Sequence, residues 1–322
     1  MADPNDTDLL CWAYEATIGT ATITAADSTS YLFGDFADDY QFTPPTLSKR
    51  VESAWKYSQR QPKQNAFAKP VFNQFKIKCF PNLPIPEYFF FGDGTDADPD
   101  TMQELSTGAK KSLNIRWEHK GGTTPARVNA CGCFCTGLLV TAEVARPSPV
   151  EMTFDWWKYE DEGDRVALTT APTRINSKTS QYQLSEVLYD YGGGGEAAKT
   201  YVTRVDIQLA QEVSAKSNDG TSQKVYPGKM QAPVVVVHGM FEDNAVRDDL
   251  RDENVKDLAV KLAKIEDATK YKQYVLDDVY WSEWIPTGLR HAGFYHAVAK
   301  GVAEKCTLNF TDESGAFGTF YP

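Results

Sequence analysis

With 322 residues, 42% hydrophobic and 24% charged, the chain can bury a core without disulfide or metal staples. A formal charge of −11 disfavours a protein that grips nucleic-acid phosphates over its whole surface and leaves open one that must not stick to DNA. Aromatic residues reach 12%, with 16 Tyr, 17 Phe and 7 Trp, which leans toward β structure.

The opening MADPNDTDLLCWAYEATIG has no basic stretch followed by an apolar core, and no window of eighteen uninterrupted apolar residues follows. The expectation is neither a signal peptide nor a spanning segment. From Asn65 to Phe80 apolar and polar residues alternate through Phe67, Val71, Phe75, Ile77 and Cys79, the period of a strand. PNLPIPEYFFFGDGTDADPD is rich in Pro and Asp and reads as a loop around an aromatic cluster at Tyr88 to Phe91. Alternation resumes over Ser112 to Glu118, with Leu113, Ile115 and Trp117 on one face. Val128 to Cys135, Gly137 to Val144 and Val150 to Trp157 are three further expected strands, separated by Gly137 and by the ARPSP segment, and together they form a meander.

The polar stretch Glu160 to Gly195 ends in YGGGG, which a strand or helix interior tolerates poorly, so residues 160–199 read as a flexible joint. The organisation is therefore a β-rich half over 1–159, the joint, and a second β-rich half over 200–322 that completes the same fold. Within the second half Thr200 to Leu209 alternates, and SAKSNDGTSQK, Ser214 to Lys224, reads as a long exposed hairpin loop. Pro233 to Met240 is a continuous apolar run, expected to be buried on both faces. Leu258 to Ile265 fits helical or strand spacing, and a hairpin with the strand Tyr271 to Trp281 is favoured. Glu304 to Phe310 is the last expected strand. The sum is mainly β with little helix.

Constellations that could carry chemistry are weak. PVVVVHGM places His238 and Gly239 at a strand end, as in the oxyanion loops of serine hydrolases, but no Gly-x-Ser-x-Gly elbow accompanies it. The favoured reading is that His238 and Gly239 close a buried strand. Cys131, Cys133 and Cys135 are spaced by one residue, which in a strand projects all three to one face instead of around a tetrahedral ion. These, with Cys11, Cys79 and Cys306, read as buried, reduced thiols. Asp96, Asp98 and Asp100 alternate without the Gly of a calcium loop and with Thr107 at its twelfth position, so a solvated turn is preferred. His291 and His296, five apart, share no face. The glycines at 192–195 precede Glu196, which would repel phosphate. No catalytic, cofactor or metal residue is assigned, and the protein is not expected to be an enzyme.

Several phrases carry a likeness instead. YEATIGT, Tyr14 to Thr20, is similar to an opening Glu-Ala/Thr-x-x-Gly-Thr phrase. SLNIRWEH, the pair Gly132-Cys133-Phe134 and Leu138-Leu139-Val140, and TAEVARPSPVEMTFDWWKY follow in order, and then TRVDIQLAQEV, VVVVHGM and LDDVYW. In that order the chain resembles the tail tube, or major tail, proteins of long-tailed bacterial and archaeal viruses. The likeness covers about two-thirds of the chain loosely; Tyr88 to Phe91 and Arg290 to Ala303 have no counterpart.

The resemblance implies a β-sandwich or barrel of the tail-tube type with long loops and terminal arms. Copies would close into rings, expected to be hexameric, that stack into a tube within a virion tail. The chain would be made in the host cytoplasm and have no membrane anchor. Its partners would be itself, other tail proteins, and DNA passing through the lumen without specific binding; no cofactor is implied. The rival reading is a carbohydrate-binding β-sandwich that uses Trp156, Trp157, Trp281 and Trp284 as a stacking platform, with loop aspartates holding calcium.

Overall fold

The structure is a computed structural model, described here for residues 8–23, 30–35, 37–43, 47–54, 64–72, 74–95, 100–104, 110–119, 126–156, 158–160, 180–199, 201–217, 223–241, 245–288 and 295–311. It is mainly β with little helix, as the alternation implies. The first half contains β1 (Asp8–Tyr14), β2 (Tyr31–Leu32), β3 (Ala37–Thr43), β4 (Leu47–Ala54), β5 (Gln64–Phe72), β6 (Phe75–Pro81) and α1 (Ile85–Phe91). Next come β7 (Gly92–Thr95), β8 (Asp100–Glu104), β9 (Leu113–His119), β10 (Ala126–Glu143), β11 (Val150–Asp155) and β12 (Lys158–Glu160). The remainder holds β13 (Tyr182–Tyr189), β14 (Ala197–Ala198), β15 (Val202–Ser217), β16 (Gln223–Met230), β17 (Val234–Phe241) and α2 (Ala245–Asp252). It ends with β18 (Lys256–Lys264), β19 (Tyr271–Pro286), β20 (Tyr295–Val302) and β21 (Lys305–Phe310). Among the described residues no helix is long and apolar enough to cross a membrane.

Antiparallel pairing arranges these strands in three main sheets. The central sheet runs β3-β6-β11-β10-β15-β17-β20-β19. A second sheet runs β14-β13-β18-β19-β21-β8-β7, and a third runs β2-β1-β9-β10-β12. Two long strands belong to two sheets each. β10 pairs with β9 and then, past register shifts at Ala130/Cys133 and Cys135/Gly137, with β11 and β15. β19 passes from β18 and β21 to β20 through Asp278, at φ 51°. Bulges and bends of this kind let one strand turn a corner between sheets. The stretches Val128 to Cys135 and Gly137 to Val144, expected as two strands, are therefore one.

The sheets wrap a single core that holds Trp12, Phe75, Phe154, Tyr274 and Leu276. Phe75 and Phe154 stack at 5.1 Å between ring centroids. Although this enclosure is barrel-like, the hydrogen-bonded order is not cyclic: β3 and the second half of β19 each have one strand partner among the described residues.

The largest departure from expectation lies at Pro84 to Phe91, read above as a loop and observed as α1, all seven residues of which are buried. Pro86 falls in the first turn, where a missing N–H leaves no bond unmade. Gly92, at φ 77°, ends the helix in the left-handed conformation and donates its N–H to the Tyr88 carbonyl. A helix buried all round shows no polar face, so its sequence carries no helical stripe. Seven residues are also too few to be helical without tertiary support. That support comes from Phe89 against Trp12 at 4.8 Å and from Glu87, whose Oε1 accepts from Lys272 Nζ and Tyr274 Oη, both at 2.5 Å.

The described part of the expected joint has regular structure too. Tyr182–Tyr189 inside it is β13, with Tyr182, Leu184, Val187 and Tyr189 buried and a register shift between Leu184 and Glu186 against β18. YGGGG is a tight turn: Gly192 sits at φ 72°, Gly193 N donates to Asp190 O at 2.9 Å, and Gly192 N donates to Glu196 Oε2 at 3.0 Å. Residues 161–179 of the expected joint lie outside the described residues. β17 is covered on one face only, with Val235 and Val237 buried and Val234 and Val236 partly exposed, because it belongs to a sheet with a single core side. Leu258 to Ile265 resolves as strand, and β18 forms the favoured hairpin with β19.

Candidate assembly surfaces

Among the described residues the outermost strands of the central sheet are β3 and the second half of β19. Among the described residues β19 over 280–286 pairs with β20 alone, from Tyr280↔Val302 to Pro286↔Ala297. Two large apolar side chains on this strand are half exposed, Tyr280 at 50% and Ile285 at 49%. A free strand edge is a template for another strand, and lysine or proline usually blunts it. Here Pro286 stands only at the far end of the strand.

The outer face of the same sheet combines an apolar row with paired charges. Register aligns Leu139, Gln208, Val234, Val302 and Tyr280 across five strands. One row further, Arg204 lies 2.9 Å from Asp206 and 3.8 Å from Glu143, and His238 Nε2 lies 3.3 Å from Asp206 Oδ2. Lys76 pairs with Glu151 at 2.7 Å and Lys300 with Glu283 at 3.7 Å. Lys76, Arg204 and Lys300 are thus already opposed by carboxylates, while Lys78 is exposed on the same face of β6.

A projecting arm replaces the expected loop of Ser214 to Lys224. β15 runs on to Ser217 and pairs with β16 through Ser217↔Gln223, so only 218–222 are left to connect the strands. These five, which include Asn218 to Gly220, lie outside the described residues. Polar composition suggested a loop, but the backbone pairing of β15 with β16 continues through it.

The YEATIGT phrase has a local structural explanation. Glu15 accepts from Gly19 N and Gly132 N, each at 2.8 Å, and from Ser112 Oγ at 2.5 Å. Gly19, at φ 76°, supplies the turn that brings its N–H back to the carboxylate. Burial raises the Glu15 carboxyl above its ordinary range, and those three donors act in the opposite direction. Beside it, Asn114 Oδ1 accepts from Thr22 N and Ile23 N at 3.0 and 2.8 Å. The face of β9 opposite Leu113 and Ile115 is therefore a buried polar layer of Ser112, Asn114, Arg116 and Glu118, with Arg116 and Glu118 ion-paired.

The residues singled out from sequence disperse. All six cysteines are buried and free, but Cys131, Cys133 and Cys135 do not share a face as expected. The bulge at Gly132, φ 65°, turns Cys131 toward Asn114, whose Nδ2 donates to its Sγ at 3.6 Å, while Cys133 and Cys135 stay in the main core. Burial pushes the Cys135 thiol up to about 12, against the pull of Lys110. His238 sits on the half-exposed outer face and does not close a buried strand. Gly239 is needed because a Cβ there would stand 2.6 Å from the Tyr201 carbonyl oxygen of the neighbouring strand. His296 is exposed, and His291, Asp96, Asp98, Thr107 and Trp157 lie outside the described residues. Trp156 and Trp281 are core residues, with Trp281 Nε1 donating to Tyr189 Oη at 3.2 Å, and Trp284 packs against the core. Trp156 and Trp281 therefore present no open stacking face.

The chain matches no model of a known protein family and no curated protein.

Proposed function

We propose that the chain is a structural virion protein that self-assembles into stacked rings forming a tail tube, with DNA passing through the lumen unbound. The observation that carries this reading is the eight-stranded central sheet, at whose two ends β3 and the 280–286 half of β19 each have one strand partner among the described residues, with Tyr280 and Ile285 half exposed at the latter. Such a sheet satisfies its edge groups by joining the corresponding sheet of another copy, and repetition of one such contact gives a ring when the rotation closes. Lys76, Arg204 and Lys300 on the outer face each have a carboxylate partner, which suits a wall past which phosphates slide.

Electron microscopy of the purified full chain over a range of concentrations tests the proposal. Rings or tubes of uniform diameter are expected. A protein that stays monomeric at every concentration, with no ring in any field, would overturn it.

A further inference from the structure

Charge is distributed very unevenly along this chain. Residues 40–86 contain eight lysines and arginines, the first Lys49 and the last Lys78, against a single acid, Glu52. The overall −11 therefore conceals +7 in this stretch and −18 in the rest of the chain. At the centre of the basic stretch is the hairpin of β4 and β5, which pair with each other from Leu47↔Phe72 to Ala54↔Gln64 and with no other strand among the described residues. An isolated two-stranded hairpin is at best marginally stable in water, so a seat on another surface would stabilise it.

We propose that the β4–β5 hairpin is a basic arm that seats on the acidic surface of a second copy of this chain. The proposal rests on the self-assembly reading and adds to it which segment reaches across and what attracts it. Two observations favour a carboxylate-bearing partner of this kind. Every copy carries the complementary excess of −18 at the same concentration as the arm, and Lys76, in the same basic stretch, already pairs with a carboxylate of its own chain, Glu151, at 2.7 Å. Acidic groups lie at one end of the second sheet, where Asp278 N donates to Asp257 Oδ1 at 2.8 Å and Lys256, 3.1 Å from Asp190 Oδ2, partly offsets them. There burial first, and then Asp257 and Asp278, hold the Asp277 carboxyl above its ordinary range. Nucleic acid is the less favoured partner, since phosphates would be repelled by the remainder of the same molecule.

The test is sedimentation velocity on the full chain at about 50 mM and about 500 mM salt, because attraction between exposed charges is screened over that range. The parent is expected to associate at least about tenfold more weakly at high salt. A Lys49→Glu, Arg50→Glu, Lys69→Glu variant should lose association by at least about tenfold at low salt, with unchanged circular dichroism. The neutral set Lys49→Gln, Arg50→Gln, Lys69→Gln should fall between, and it serves as the probe if the reversed variant does not fold. Association of the variants within about twofold of the parent overturns the inference while leaving self-assembly intact. So does a variant that associates normally but loses retention on a DNA column, which would make the arm a nucleic-acid contact. A parent that does not associate at any salt overturns the self-assembly reading and this inference with it.

Discussion

Glu87→Gln removes the carboxylate that Lys272 and Tyr274 share in the core. Both charged side chains have 0% exposure and meet at 2.5 Å, so the variant leaves an ammonium group buried without its counter-charge. Breaking a buried pair from one side costs about 3–5 kcal/mol. The Tyr274 hydroxyl, also 2.5 Å from Glu87, keeps a neutral acceptor in Gln and adds about 1 kcal/mol or less. Because α1 cannot be helical alone, its docking through Phe89 and Phe90 weakens together with the pair. Urea unfolding followed by tryptophan fluorescence measures this, Trp12 being packed on Phe89. With a slope of about 3 kcal/mol/M, the midpoint should fall by about 1–2 M. Lys272→Met should cost a similar amount, and the double variant should recover most of the loss because no unpaired charge then remains. Single losses below about 1 kcal/mol, or a double variant as unstable as the sum of the singles, would refute the account.

Gly192→Ala should destabilise by about 1–2 kcal/mol in the same assay, since Gly192 holds φ 72°; a flexible joint would instead give no loss or a slight gain. Asp277 has its carboxyl raised above 3.8 by burial, then by Asp257 and Asp278. Its protonated form therefore favours folding, a contribution present below pH 3.8 and lost as pH rises through the folded value. Asp277→Asn should thus be more stable than the parent at neutral pH, and the two should converge as the pH falls toward 3.8; a constant difference at all pH values would refute this. The six cysteines, all buried and free, should resist a thiol reagent at mildly alkaline pH and all react in denaturant, whereas rapid labelling of the native chain would show that the core is open. Tyr280→Lys with Ile285→Lys should leave the circular dichroism unchanged while abolishing rings in the microscope, because edge lysines block strand addition; normal rings would exclude this edge as the contact.

Alternation alone determined the mainly β character, since Phe75-Ile77-Cys79 and Val205-Ile207-Leu209 each alternate toward one buried face. It also located the meander around β9 to β11 and favoured the β18–β19 hairpin. Other features depended on contacts between residues far apart in the chain. Glu87 and Lys272 are 185 positions apart, and their meeting in the core, with Phe89 packed on Trp12, supports IPEYFFF as a helix. Bulges at Gly132 and Thr136 allow β10 to serve two sheets, a corner that sequence periodicity reads as a break between strands. The glycines at 193 and 195 look like slack in sequence, but in the fold they make room for the Asp190 carboxylate, which an added Cβ would meet at 2.4 and 2.9 Å. The candidate assembly surfaces were legible only in part: the polar arm was visible as composition, but a free edge is defined by which strands pair. Local sequence sets a residue's intrinsic preference and the face it can bury; which face is covered, and which edge remains open, is fixed by long-range pairing that no local pattern encodes.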